Sequence, residues 1–212
     1  MTAQRNDTYE ARLTVEYPER NLNRLSTALR LLYLIPIALI LALLDGTFFD
    51  NGFAENGSQF SATGAAVLAL PVLLMIVFRQ KYPRWWFDFN LHLARFSTRV
   101  VAYLALMSDV YPSTDEEQTI HLDLDYPNVE QDLNRWLPLV KWLLAIPHCI
   151  VLFFLCIAAV VAVIVAWFAV LFTGRYPRAI FNFVEGVLRW GLRVEAYAVL
   201  LITDRYPPFS LQ

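Results

Sequence analysis

Charged side chains are scarce in this sequence. Asp, Glu, Lys and Arg make up 17% of its 212 residues, where a soluble domain carries about a quarter. The 58% that is hydrophobic is concentrated in runs, which points to lipid as the solvent. A net charge of −2 gives no polybasic signature for nucleic acid. The two cysteines, Cys149 and Cys156, share one apolar run, where thiols behave as small hydrophobes, so neither a disulfide nor a metal role is expected. Glycine is also rare, and no glycine-rich phosphate loop, GxSxG elbow or intramembrane carboxylate pair is present. Of the histidines His92, His121 and His148, only His148 lies in an apolar run. A haem b site needs two axial side chains on facing helices, and zinc needs a His/Cys cluster. These absences point away from an enzyme, and no cofactor is expected. The first 24 residues lack the apolar core of a secretory signal, so the N-terminus is expected to stay cytoplasmic.

What is abundant is repetition. LTVEYP at 13–18 returns as LDLDYP at 122–127, and Asn23-Arg24 returns as Asn134-Arg135. Arg30 matches Lys141, and Ile35-Pro36 matches Ile146-Pro147. KYPR at 81–84 returns as RYPR at 175–178, and Phe87-Asp-Phe89 as Phe181-Asn-Phe183. Arg95, Arg99 and Tyr103 match Arg189, Arg193 and Tyr197, and Asp109-Val-Tyr-Pro112 matches Asp204-Arg-Tyr-Pro207. Ordered matches of this kind indicate duplication. The expected organisation is a tail over 1–11, a membrane module over 12–112, an acidic linker over 113–119 and a second module over 120–209.

The stretch PHCIVLFFLCIAAVVAVIVAWFAVLFTGRYPRAIFNFVEGVLRWGLRVEAYAVLLITDRYPPF resembles domain-of-unknown-function family 4389, a family of bacterial membrane proteins. The resemblance is strong over 146–209 and weaker over 13–112, so it implies two such modules in tandem. It implies membrane location and bacterial origin, and it carries no activity and no catalytic residue.

Each module opens on alternation. Leu13, Val15 and Tyr17 alternate with Arg12, Thr14 and Glu16, and Leu122, Leu124 and Tyr126 alternate with Asp123 and Asp125. A period of two with one apolar face is a half-buried strand signal. The two strands would pair with each other or lie as extended arms on the helices. In the first module the apolar segments 31–44 and 64–78 flank a polar loop, 45–63, carrying Asp45, Asp50 and Glu55. Such a loop cannot face lipid at mid-membrane. Carried over to the uninterrupted run 142–172, it predicts a tight turn near 155–158. The fold class expected is therefore mainly α and integral to the membrane: in each module a short strand, a transmembrane helical hairpin and an amphipathic interfacial helix.

Those last helices carry one narrow polar stripe each: Asp88, His92, Arg95 and Arg99, then Asn182, Glu185, Arg189 and Arg193. Arg on the polar face with Trp and Phe on the other describes a helix lying in the interface. The loop 45–63 has no Lys or Arg, whereas Arg79, Lys81, Arg84, Arg175 and Arg178 follow the apolar runs. The positive-inside rule then puts both termini in the cytoplasm of a multi-pass inner-membrane protein. With Arg95, Arg99, Arg189 and Arg193, these five are the candidate contacts to anionic lipid headgroups. Glu195, on the apolar face, is the candidate partner of a buried cation, Lys141 or Arg30. Between the modules, 109–132 carries eight acidic residues and no Lys or Arg. The Tyr-Pro pairs at Tyr82, Tyr111, Tyr176 and Tyr206 read as stops between helices, with tyrosine at headgroup level. The function expected is a non-enzymatic scaffold or accessory subunit associating with lipid and other membrane subunits, or itself. The alternative is a small oligomeric transporter or channel with Glu195, Arg30 and Lys141 along its path.

Overall fold

The two alternating stretches form strands β1 (Ala11–Val15) and β2 (Ile120–Leu124). They pair with each other, antiparallel, with Leu13 opposite Leu122. One face buries Ala11, Leu13, Val15, Ile120, Leu122 and Leu124. The other exposes Arg12, Thr14, Glu16, His121, Asp123 and Asp125. Polar contacts tie that outer face together, an ion pair from Arg12 to Asp125 at 2.7 Å and a hydrogen bond between His121 Nε2 and Glu16 at 3.2 Å. In this computed structural model residues 9–18, 22–44, 64–113 and 118–212 are described. The loop 45–63, expected on the far side of the membrane, lies outside them.

Among the described residues six helices accompany the sheet: α1 (Arg24–Leu44), α2 (Gly64–Leu74, continued by a π-helical turn Met75–Arg79), α3 (Arg84–Leu104), the short α4 (Val129–Asp132), α5 (Pro138–Thr173) and α6 (Arg178–Ala198). Pro83 and Pro177 stand at the N-caps of α3 and α6. There their lack of an N–H costs nothing, because that donor would have no intrahelical partner.

The turn expected near 155–158 is not formed. α5 is one helix of 36 residues, about 54 Å long at 1.5 Å per residue. From Cys149 to Phe172 there is no glycine, proline or polar side chain, and nothing else competes with the helical ladder. The returning hairpin expected in the first half also fails. Leu22 N–H, just before α1, donates to Gly174 O at the end of α5 (2.9 Å). Arg135 Nε, just before α5, donates to Val77 O at the end of the α2 segment (2.5 Å). A hairpin would bring both its ends to one end of α5, whereas here they sit at opposite ends.

The elements stack in three layers. α1 packs on α5, α3 on α1 and α6 on α5, and the sheet covers α3 and α6. The strands are exchanged: β1 lies on α6 and β2 on α3. α6 runs back along α5, with Trp190 against His148 and Tyr197 against Lys141. β1 meets α6 at Glu185 and Arg189, so the sheet stands beside the middle of α5. The outermost layer is apolar. Leu143, Ile157, Val161, Phe168 and Phe172 of α5 and Leu32, Ile35 and Leu39 of α1 are all exposed.

Candidate functional site

Two buried cations anchor the helices. Arg30, 2% exposed, forms an ion pair with Asp109 and donates to Tyr103 O at 2.7 Å. Lys141, fully buried, pairs with Asp204 at 2.7 Å and donates to Thr203 O at 2.7 Å. Each cation also lies over a tyrosine ring, Tyr103 at 4.3 Å and Tyr197 at 5.2 Å. Each aspartate accepts a second bond, from the backbone N–H of Asn23 (2.9 Å) and of Asn134 (2.5 Å) respectively. The cations were expected from the sequence, but their partner was not. Lys141 pairs with Asp204 rather than with Glu195, which sits half-buried on α6. The cause is the turn ending each amphipathic helix. Leu106 and Leu201 adopt left-handed backbone (φ 64° and 56°) and are buried. Each reverses the chain so that the aspartate three residues later reaches back to the cation. A non-glycine residue held there costs about 1–3 kcal/mol, which the packing around it must offset. The sequence signal that marks these aspartates is their recurrence, as Asp-x-Tyr-Pro, in step with the recurring cation.

The stripe arginines also differ from expectation. Arg95 donates to Leu122 O (2.9 Å) and pairs with Asp123 (3.0 Å). Arg189 donates to Leu13 O (3.1 Å) and pairs with Glu185 (2.7 Å), which in turn accepts from Val15 N–H (3.2 Å). Arg99 donates to Ser113 O at 2.6 Å, and Arg193 to Ser210 O at 3.4 Å and to Gln212 O. The arginines of each stripe therefore bond to this chain's own strands and tail. Desolvation, aided by the nearby Arg189 charge, lowers the Arg193 pKa. Five headgroup candidates, Arg79, Lys81, Arg84, Arg175 and Arg178, are exposed, with Arg84 and Arg178 stacked over Tyr126 and Tyr17.

The Tyr-Pro tyrosines divide. Tyr111 and Tyr206 are exposed, but Tyr82 and Tyr176 are 4% and 2% exposed, enclosed by this chain itself. Tyr82 OH donates to Leu200 O at 2.9 Å, and the phenols of both are pushed up by burial. Tyr126 and Tyr17 donate in turn to the carbonyls of Tyr82 and Tyr176, each at 2.5 Å.

His148 is held as a packing residue. Its Nδ1 accepts from Trp190 Nε1 at 3.1 Å and its ring stacks on Phe209 at 3.9 Å. Facing the same helices is a cavity of about 550 Å³ between α1, α5, α6 and the end of α3. It is apolar except at Thr27 and Arg30.

The comparison with known proteins bears on the second half of the chain. Residues 136–210 match the family described as domain of unknown function (DUF4389). The DUF4389 segment contains α5, α6, Lys141, Asp204 and His148. No curated protein and no solved structure is matched. Among the described residues α5, within this segment, is the one helix long and apolar enough to cross a membrane. Only 6% of its most apolar stretch is buried in this chain, which leaves a long apolar surface of the kind that associates with a membrane. No group of three or more His, Cys, Asp or Glu able to hold a metal occurs among the described residues.

Proposed function

We propose that this chain is a non-enzymatic membrane scaffold or accessory subunit, built of two tandem DUF4389-type modules and seated in the cytoplasmic leaflet of a bacterial inner membrane. The paired contacts support the duplication: the Arg30–Asp109 and Lys141–Asp204 clamps, and the Arg95–Leu122 and Arg189–Leu13 bonds, recur at matching positions. The observation that carries the seating is the sheet. Its charged face stands beside the middle of α5. Were α5 upright, exposed Arg12, Asp125, Glu16 and His121 would sit near mid-bilayer, where ionisable side chains are costly. With α5 in the membrane plane, its apolar outer face meets acyl chains and the charged sheet meets water. A 54 Å helix then needs no match to a hydrocarbon core of roughly 30 Å. Both termini stay cytoplasmic. The exposed Arg79, Lys81, Arg84, Arg175 and Arg178 flank the apolar layer, in position for anionic headgroups.

Depth measurement tests the seating. Single nitroxide labels at Leu143, Ile157 and Phe172 in a cysteine-free background should report similar bilayer depths. A multi-pass protein would show Ile157 deep and the outer two shallow, and that profile would overturn the in-plane reading. The scaffold role predicts a defined complex with other subunits in mild detergent. A homo-oligomer that conducts ions would favour the transporter alternative instead. Against that alternative, both cations that would line its path are held by aspartates and carbonyls.

A further inference from the structure

The two clamps match in design, but the space beside them does not. Next to Lys141 the helices are filled by His148, Trp190 and Phe209: the His148 ring stacks on Phe209 and Trp190 meets both edge to face. Next to Arg30 lies the 550 Å³ cavity, well within the roughly 300–1,000 Å³ of small-molecule sites. Ala159, Val163, Val184 and Leu188 line it, and Arg30 stands at its polar end. Val160 and Ile164 line it too while being 60% and 52% exposed. Its mouth therefore opens on the apolar outer surface.

Arg30 uses its terminal nitrogens on Tyr103 O and Asp109, but its Nε is buried without a hydrogen-bond partner. A buried charged donor left unpaired is unfavourable, and an acceptor oxygen would satisfy it. Lysine serves the same clamp at 141, so the guanidinium is not needed to hold an aspartate. What arginine adds is the extra donor beside the cavity. An occupant must be apolar along most of its length and carry one acceptor at its end.

We propose that this cavity holds one acyl chain of a membrane phospholipid, with the ester carbonyl accepting from Arg30 Nε. The ester end lies under the clamp, where Val101 and Leu104, 41% and 40% exposed, leave the glycerol an opening, and the chain runs from there along Ala159 and Val163 to the gap at Val160 and Ile164. The inference rests on the membrane seating above, and the experiment separates the two.

The protein is reconstituted into phosphatidylethanolamine and phosphatidylglycerol vesicles containing a phospholipid with a diazirine on its acyl chain, and photocrosslinks are mapped by mass spectrometry. Crosslinks are expected at the outward residues Ile157, Val161 and Phe168 and at the inward residues Ala159, Val163 and Leu188. Filling the cavity with Ala159→Trp, or with the smaller Val163→Phe, should cut the inward set about tenfold and spare the outward set. Inward crosslinks that are missing, or that survive both variants unchanged, overturn the acyl site. Outward crosslinks that are missing overturn the membrane seating, whatever the inward set does. Arg30→Lys keeps the charge for Asp109 and removes Nε. Lipid retained through a detergent wash should fall roughly tenfold, as expected for losing one hydrogen bond to a charged group. Unchanged retention would overturn the ester contact.

Discussion

Asp204 holds two groups at once, the ammonium of Lys141 and the backbone N–H of Asn134. Removing one partner of a buried pair leaves an uncompensated charge, at roughly 3–5 kcal/mol. Asp204→Asn should therefore destabilise the protein by about that much in a chemical unfolding series in detergent. Glu195→Gln, which leaves the clamp intact, should cost less than Asp204→Asn. Replacing both clamp members, Lys141→Met with Asp204→Leu, should recover most of the loss, because apolar residues tolerate that burial. The reverse ranking of Asp204 and Glu195 would mean that the clamp is not what secures α5. Both halves of this clamp were legible as repeated residues, but not as a pair. Helical spacing relates residues within one helix, and Lys141 and Asp204 stand in different segments joined by the whole length of α5 and α6. Only the left-handed turn at Leu201 brings them together, and nothing in a leucine announces that conformation.

At the scale of the element, an amphipathic helix hides an ambiguity. A stripe of Arg opposite aromatic residues describes a helix on a membrane surface, but it equally describes a helix sandwiched between an apolar layer and strand backbones. α3 and α6 are of the second kind. The strands themselves were legible, because alternation marks a half-buried strand in any solvent, and their pairing follows from there being two of them. The hairpins were not. The loop 45–63 interrupts the first apolar run, but the matching run in the second half has no residue able to stop a helix. If the stripe arginines serve the sheet, Arg189→Gln should loosen β1 without changing bound lipid. A charge-assisted bond worth about 1.5–3 kcal/mol corresponds to amide exchange roughly tenfold or more faster over Ala11–Val15. Hydrogen-exchange mass spectrometry reads this directly. Unchanged exchange with a loss of anionic lipid would return Arg189 to the headgroup role.

Across the whole molecule, the exchanged strands make the halves interdependent. β1 completes the polar face of α6, and β2 that of α3. A protease site inserted between Ser113 and Gln118 should therefore leave two fragments that still elute together in mild detergent, since strand pairing, Tyr17–Tyr176 and Tyr126–Tyr82 bridge the cut. Fragments that separate without denaturant would show that the exchange contributes little.

The same crossing sets a timetable. β1 leaves the ribosome well before the arginine that holds it, Arg189. At 5–20 residues per second, β1 waits roughly 9–35 s for its place. Until β2 is made it is an unpaired edge, the kind of segment on which chains aggregate. Its brevity, five residues, and the charges of Arg12 and Glu16 beside its apolar positions are what keep a waiting strand from finding the wrong neighbour.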